Sequence, residues 1–71
     1  MLRCHAIARL VNPHNHKCVA AYGWLRNNQQ IRYWVSIESD PHLFFSNIDD
    51  AREFYRMASG RLRAREAARR P

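Results

Sequence analysis

Hydrophobic and polar positions fall into three short blocks followed by one long one. His5–Val11 reads H-A-I-A-R-L-V, Cys18–Leu25 reads C-V-A-A-Y-G-W-L, and Ile31–Glu38 reads I-R-Y-W-V-S-I-E. The third is rich in β-branched and aromatic residues and partly alternates, the pattern of a half-buried strand. The gaps between blocks, NPHNHK and RNNQQ, consist of turn formers. Three strands on two short loops predict an antiparallel meander.

The loops also predict a register. With the first loop at 13–16, Val11 faces Cys18, Ile7 faces Tyr22, and Cys4 lies near Leu25. With the second at 27–30, Trp24 faces Tyr33 and Tyr22 faces Val35. One face then gathers Ile7, Val11, Cys18, Ala20, Tyr22, Trp24, Ile31, Tyr33, Val35 and Ile37, with His5 and Arg9 towards the margin. A slip of one residue would scatter this set, so the pattern supports the register. The opposite face takes Cys4, Ala6, Ala8, Leu10, Val19, Ala21, Gly23, Leu25, Arg32, Trp34, Ser36 and Glu38. It is smooth and only partly polar, unlike an ordinary solvated face.

SDPHLFFSN then reads as an irregular link. A helix is expected beyond it. Ser46 or Asn47 can cap it, Asp49, Asp50 and Glu53 suit its positive end, and Ile48, Ala51, Phe54, Tyr55, Ala58 and Leu62 form an apolar stripe. Gly60 weakens the helix and is a candidate end for its packed part. The predicted fold is α+β: a three-stranded antiparallel β-meander followed by one C-terminal α-helix with a basic extension, β-β-β-α. Residues 1–60 form the small domain, and residues 61–71 an Arg-rich helical extension or tail.

Size limits what such a domain can do. At 71 residues the core is small, and domains of this size often add a metal, a disulfide or a partner chain. VNPHNHKC, with Cys4-His5 upstream, raises the first possibility. A structural zinc needs four ligands within about 2.3 Å of the ion. The hairpin register instead puts Cys4 and Cys18 at opposite ends, roughly 23 Å apart along the strands. The same separation rules out a disulfide, which needs Cα atoms within about 7 Å. His14 and His16 read as turn residues at a loop tip, and Cys18 as a core thiol. No metal or cofactor is expected.

Nothing reads as catalysis either. Cys4 and His5 are strand neighbours facing opposite ways, the acids near residue 50 are explained by the helix start, and two glycines cannot build a phosphate loop. No apolar run is long enough to cross a membrane, and no secretory signal pattern is present. The chain reads as cytoplasmic and non-enzymatic, with no small-molecule substrate.

Charge supplies the leading functional expectation. The net charge is +6, of which residues 1–60 contribute +2 and residues 61–71 contribute +4. Arg61, Arg65 and Arg69 recur at every fourth position and line one side of a continuing helix. With Arg52, Arg56, Arg63 and Arg70 they are the candidate nucleic-acid contacts, giving salt-sensitive phosphate binding. The alternative is a protein partner or a homodimer on the smooth sheet face, through Ala8, Ala21, Leu25, Arg32 and the anchor Trp34. Small Arg-rich chains of this kind are often phage or mobile-element products that block a host complex.

FFSNIDDAREFYRMA, through Phe45, Ser46, Asp50 and Ala51, resembles the helix entry of integrase arm-type and plant AP2-type DNA-binding domains, which join a three-stranded sheet to a helix. The likeness spans about residues 18–60. Those domains read DNA with an Arg- and Lys-bearing sheet face. Here that face offers only Arg32 and Trp34 among alanines, which directs the nucleic-acid expectation to the helix and tail.

Overall fold

The computed structural model describes residues 2–38 and 42–68. Four strands and one helix follow in order: β1 (Leu2–Val11), β2 (Cys18–Asn27), β3 (Gln30–Ile37), β4 (Leu43–Phe45) and α1 (Ile48–Ala68). The sheet is antiparallel throughout, in the order β1-β2-β3-β4. The α+β meander is as expected, with one strand more. Leu43, Phe44 and Phe45, expected in the irregular link, pair with Val35, Trp34 and Tyr33. Three residues just after a proline are too few to show alternation, so the strand declares itself only through its partner.

The first loop is built by its asparagines. Asn12 Oδ1 accepts the His14 backbone N–H at 2.8 Å, and Asn15 Oδ1 accepts that of Lys17 at 2.9 Å. Asn12 also exchanges main-chain bonds with Lys17 and His16, and His16 takes the left-handed conformation at φ 61°. The second loop is only Asn28-Gln29, since Asn27 and Gln30 already pair. Tight hairpins need a positive φ at the first loop position, and Asn28 supplies it at 59°.

The β2–β3 register is the expected one, with Trp24 opposite Tyr33 and Tyr22 opposite Val35. In β1–β2 both ends agree as well: Val11 faces Cys18, and Cys4 faces Leu25. The middle does not. Ala6 pairs with Gly23 but Ala8 with Tyr22, so Ile7 is an extra residue in β1; Leu10 pairs with Ala20 but Val11 with Cys18, so Val19 is an extra residue in β2. Two bulges of opposite sense shift three pairs by one and then restore the frame. Between them the faces exchange. Ala8 and Leu10 pack on the core, while Ile7, Val11 and Cys18, expected inside, are exposed.

The core lies where α1 crosses the other strands. Ala20, Tyr22 and Val35 meet Ala51 and Tyr55, with Ala8, Leu10, Tyr33, Ile37, Phe45 and Leu62 packed around them. The rings of Tyr22 and Tyr55 are 4.8 Å apart. The helix begins as expected: Asn47 Oδ1 accepts the Asp49 N–H at 2.7 Å, and Asp49 and Asp50 lie in the first turn. It passes through Gly60 without interruption to Ala68. Its inward positions are Ala51, Tyr55 and Ser59, with Phe54 and Ile48 nearer the rim.

Helix and sheet are staggered. A ten-residue strand is about 33 Å long and a 21-residue helix about 31 Å, yet the molecule extends 50 × 22 × 18 Å. The helix C-terminal half reaches the β1–β2 loop, where His14 Nε2 lies 3.3 Å from Glu66 Oε1. The far half of the sheet, around the Asn28-Gln29 turn, extends past the helix start.

Candidate nucleic-acid interface

The sequence-derived arginines fall on both sides of α1 rather than on one stripe. Positions 52 and 61 are nine residues apart, two and a half helical turns. Arg52, Arg56 and Arg63 therefore share one flank, and Arg61 and Arg65 the other. Arg63 borders a groove with Leu10, Val11, Pro13 and Val19 on the β1 side. Arg61 and Arg65 border the groove over Ile37 and Leu43, beside Phe54. Arg52 and Arg56 therefore do not continue the side that carries Arg61 and Arg65. Arg69 and Arg70 lie outside the described residues.

Among the described residues, four of these five cations meet no carboxylate. Among the described residues two ion pairs form: Arg65 with Glu38, and His14 with Glu66 when the imidazole is protonated. Arg52, Arg56, Arg61 and Arg63 are exposed and meet no described carboxylate. The Tyr55 phenol, on the inward side of the helix, is pushed above its ordinary value by burial, with Arg63 pulling the other way.

The expected protein-binding face is placed differently. Trp34 is only 7% exposed and Ala21 5%. Opposite Trp34 stands Gly23, which has no side chain. The indole donates from Nε1 to the Trp24 carbonyl oxygen at 3.1 Å and meets the His42 ring at 5.3 Å. A tryptophan held this way is an internal residue, not an exposed anchor. Ala8 belongs to the helix side, because the Ile7 bulge turned it over. Leu25 is half-buried and Arg32 exposed; beside Arg32, Phe44 is 56% exposed.

The chemistry-bearing loop stays apart from both surfaces. His14 and His16 are exposed at the β1–β2 turn. Cys4 and Cys18 are free and exposed at opposite ends of the hairpin. Among the described residues no three His, Cys, Asp or Glu side chains converge as a metal site would require. Nor, among the described residues, is any helix long and apolar enough to cross a membrane.

Another set of residues was passed over in the sequence. Residues 1–37 contain five basic residues and no acid. In the unhelixed half of the sheet, Arg3 faces Arg26 directly across β1–β2, and His5 faces Trp24 in the next row on that side. Trp24 in turn faces Tyr33. The overall balance of +2 across residues 1–60 hid this, because all the acids of that stretch lie after residue 37. Counting charge strand by strand would have exposed it. In comparisons with known protein families, curated proteins and solved structures, the chain matches none of them.

Proposed function

We propose that the chain is a small, non-enzymatic nucleic-acid-binding module that meets the phosphate backbone through the arginines of α1, with Arg69 and Arg70 continuing the same basic run. The observation that supports this reading is the set of exposed arginines that meet no described carboxylate: Arg52, Arg56 and Arg63 on one flank of the helix and Arg61 on the other. A guanidinium left without a carboxylate is available for bidentate contact with phosphate. A flank of three arginines that neutralises three phosphates gives a slope of about −3 for log affinity against log salt on duplex DNA.

The test is a fluorescence-anisotropy titration of a labelled duplex and a labelled single strand across a salt series. Removing residues 61–71 would also remove Leu62 from the core, so charge-neutral Arg→Gln substitutions at 52, 56 and 63 are the cleaner perturbation. They are expected to flatten the salt slope while the far-UV circular dichroism stays unchanged. Wild-type affinity and slope in that triple variant would remove the helix from the reading.

A second reading, a protein-binding adaptor or inhibitor of phage or mobile-element type, or a homodimer, draws on the exposed Phe44 beside Arg32. Sedimentation of wild type and Phe44→Ala, with and without candidate partners, separates it from the first.

A further inference from the structure

The uncovered half of the sheet carries two rows of side chains on its helix side. One row is aromatic: His5, Trp24 and Tyr33 are successive cross-strand partners on β1, β2 and β3. The other is basic: Arg3 and Arg26 face each other two residues further along. Cross-strand partners have Cβ atoms about 5 Å apart, and rows two residues apart are separated by about 7 Å. The His5 and Trp24 rings already stack, with centroids at 5.3 Å and planes 23° apart. His5 is exposed, and Trp24 is half-buried without joining the residues packed around the core.

The arginine pair is the informative feature. Like charges placed directly opposite on a sheet oppose folding. Nothing local compensates these two, since neither meets a described carboxylate and residues 1–37 contain no acid. Arg26 is also pre-positioned, its Nε–H donating to the Asn28 carbonyl oxygen at 3.2 Å. Asp49 and Asp50 are exposed on the first turn of α1, which follows β4 on the opposite edge of the sheet from β1. Two opposed guanidiniums beside an open stack of rings complement a ligand that has an anion and a flat aromatic group one short step apart.

We propose that this half of the sheet is a binding platform for single-stranded nucleic acid, with a phosphate between Arg3 and Arg26 and a base stacked on the His5–Trp24 pair. It rests on the nucleic-acid reading above and specifies which form is bound. A duplex keeps its bases stacked on one another and offers nothing to the aromatic row. A single strand offers both groups, and aromatic platforms hold its bases with little regard to sequence.

The experiment uses the full chain with a labelled oligothymidylate of about 12 nucleotides, a blunt duplex of the same length, and four variants: Trp24→Ala, Trp24→Phe, His5→Ala, and Arg3→Gln with Arg26→Gln. Tryptophan fluorescence and anisotropy are read together at low salt. The wild type is expected to bind the single strand at least 10-fold more tightly than the duplex, with quenching of Trp24. Trp24→Ala is expected to weaken single-strand binding about 5- to 100-fold, and Trp24→Phe to restore most of it. The double arginine variant, which gives up the one phosphate held between the pair, is expected to reduce the salt slope by about 0.7. Should Trp24→Ala fail to fold, the exposed His5→Ala and the arginine variant carry the test. Equal affinity for single strand and duplex, or full affinity in the arginine and His5 variants, overturns the platform. If the helix variants alone lose binding, the nucleic-acid reading survives without it. Absence of binding to either nucleic acid overturns both, and self-association abolished by the same substitutions would assign the patch to a second copy of the chain.

Discussion

Gly23→Ala is the sharpest single test of the β1–β2 pairing. A Cβ built on Gly23 would fall inside the His5 carbonyl oxygen and reach within 2.9 Å of Ala6 Cα. Both obstacles are main chain, so no side-chain rotation relieves them and β1 itself has to move. The strand approaches this closely because Ala6 pairs with Gly23 immediately before the Ile7 bulge. Overpacking of a tight site costs about 1–3 kcal/mol. A backbone clash that also disturbs strand pairing belongs at the upper end, about 3 kcal/mol. A 71-residue domain holds in total only about 4–10 kcal/mol, so this one methyl group removes a large share. The melting temperature should fall by roughly 12–24 °C. Urea unfolding followed by tryptophan fluorescence is well suited, because the buried Trp34 is the cross-strand partner of the glycine. A variant within about 0.5 kcal/mol of wild type would refute the close approach, and with it the placement of the bulge.

The chain's other glycine gives the opposite sign: a Cβ on Gly60 meets nothing within 4 Å, so Gly60→Ala should stabilise the helix by about 1 kcal/mol, and a lower urea midpoint would contradict an uninterrupted α1. Asn47→Ala removes the acceptor of the Asp49 N–H and should cost about 1 kcal/mol, or roughly 4–8 °C in melting temperature; Asn47→Asp should recover most of it, and no loss would discard the cap. Burial raises the Tyr55 phenol above its ordinary value, so the unfolded chain releases this proton first as pH rises. The stability it contributes is complete below about pH 10 and is lost as pH climbs through the raised folded value. Tyr55→Phe should therefore show a shallower alkaline fall in urea midpoint, and identical slopes would contradict the burial.

The turns and the helix start were the most legible parts of the sequence, because their signals are local. Asn12, Pro13 and Asn15 form the first loop, Asn28 takes the positive φ of the second, and Asn47 caps the helix as its position suggests. The two bulges were hidden because each cancels the other: Val11 still meets Cys18 and Cys4 still meets Leu25. Between them, Ala8 and Leu10 replace Ile7 and Val11 on the core side, and a run of apolar residues on both faces carries no sign of that exchange. Trp34 reads as an exposed anchor when the sheet face is drawn flat. Its burial goes with its bond to the Trp24 carbonyl oxygen and with its contact to His42, which lies outside the three-stranded meander. The arginines were visible by count, but their division between two flanks appears only once the helix is continuous through Gly60. The charge asymmetry of the sheet was legible and was masked by averaging over too long a window.

The paired bulges also bear on how this chain can change by inheritance. Ile7 and Val19 stand outside the ladder, so losing either one alone would leave every cross-strand pair of the hairpin with its present partner. Losing both would leave a regular ribbon with the same pairs, its turn and its far end unaltered. Single-codon gaps at these two positions should therefore be accepted one at a time, which makes them two independent points where the hairpin can change length without changing register.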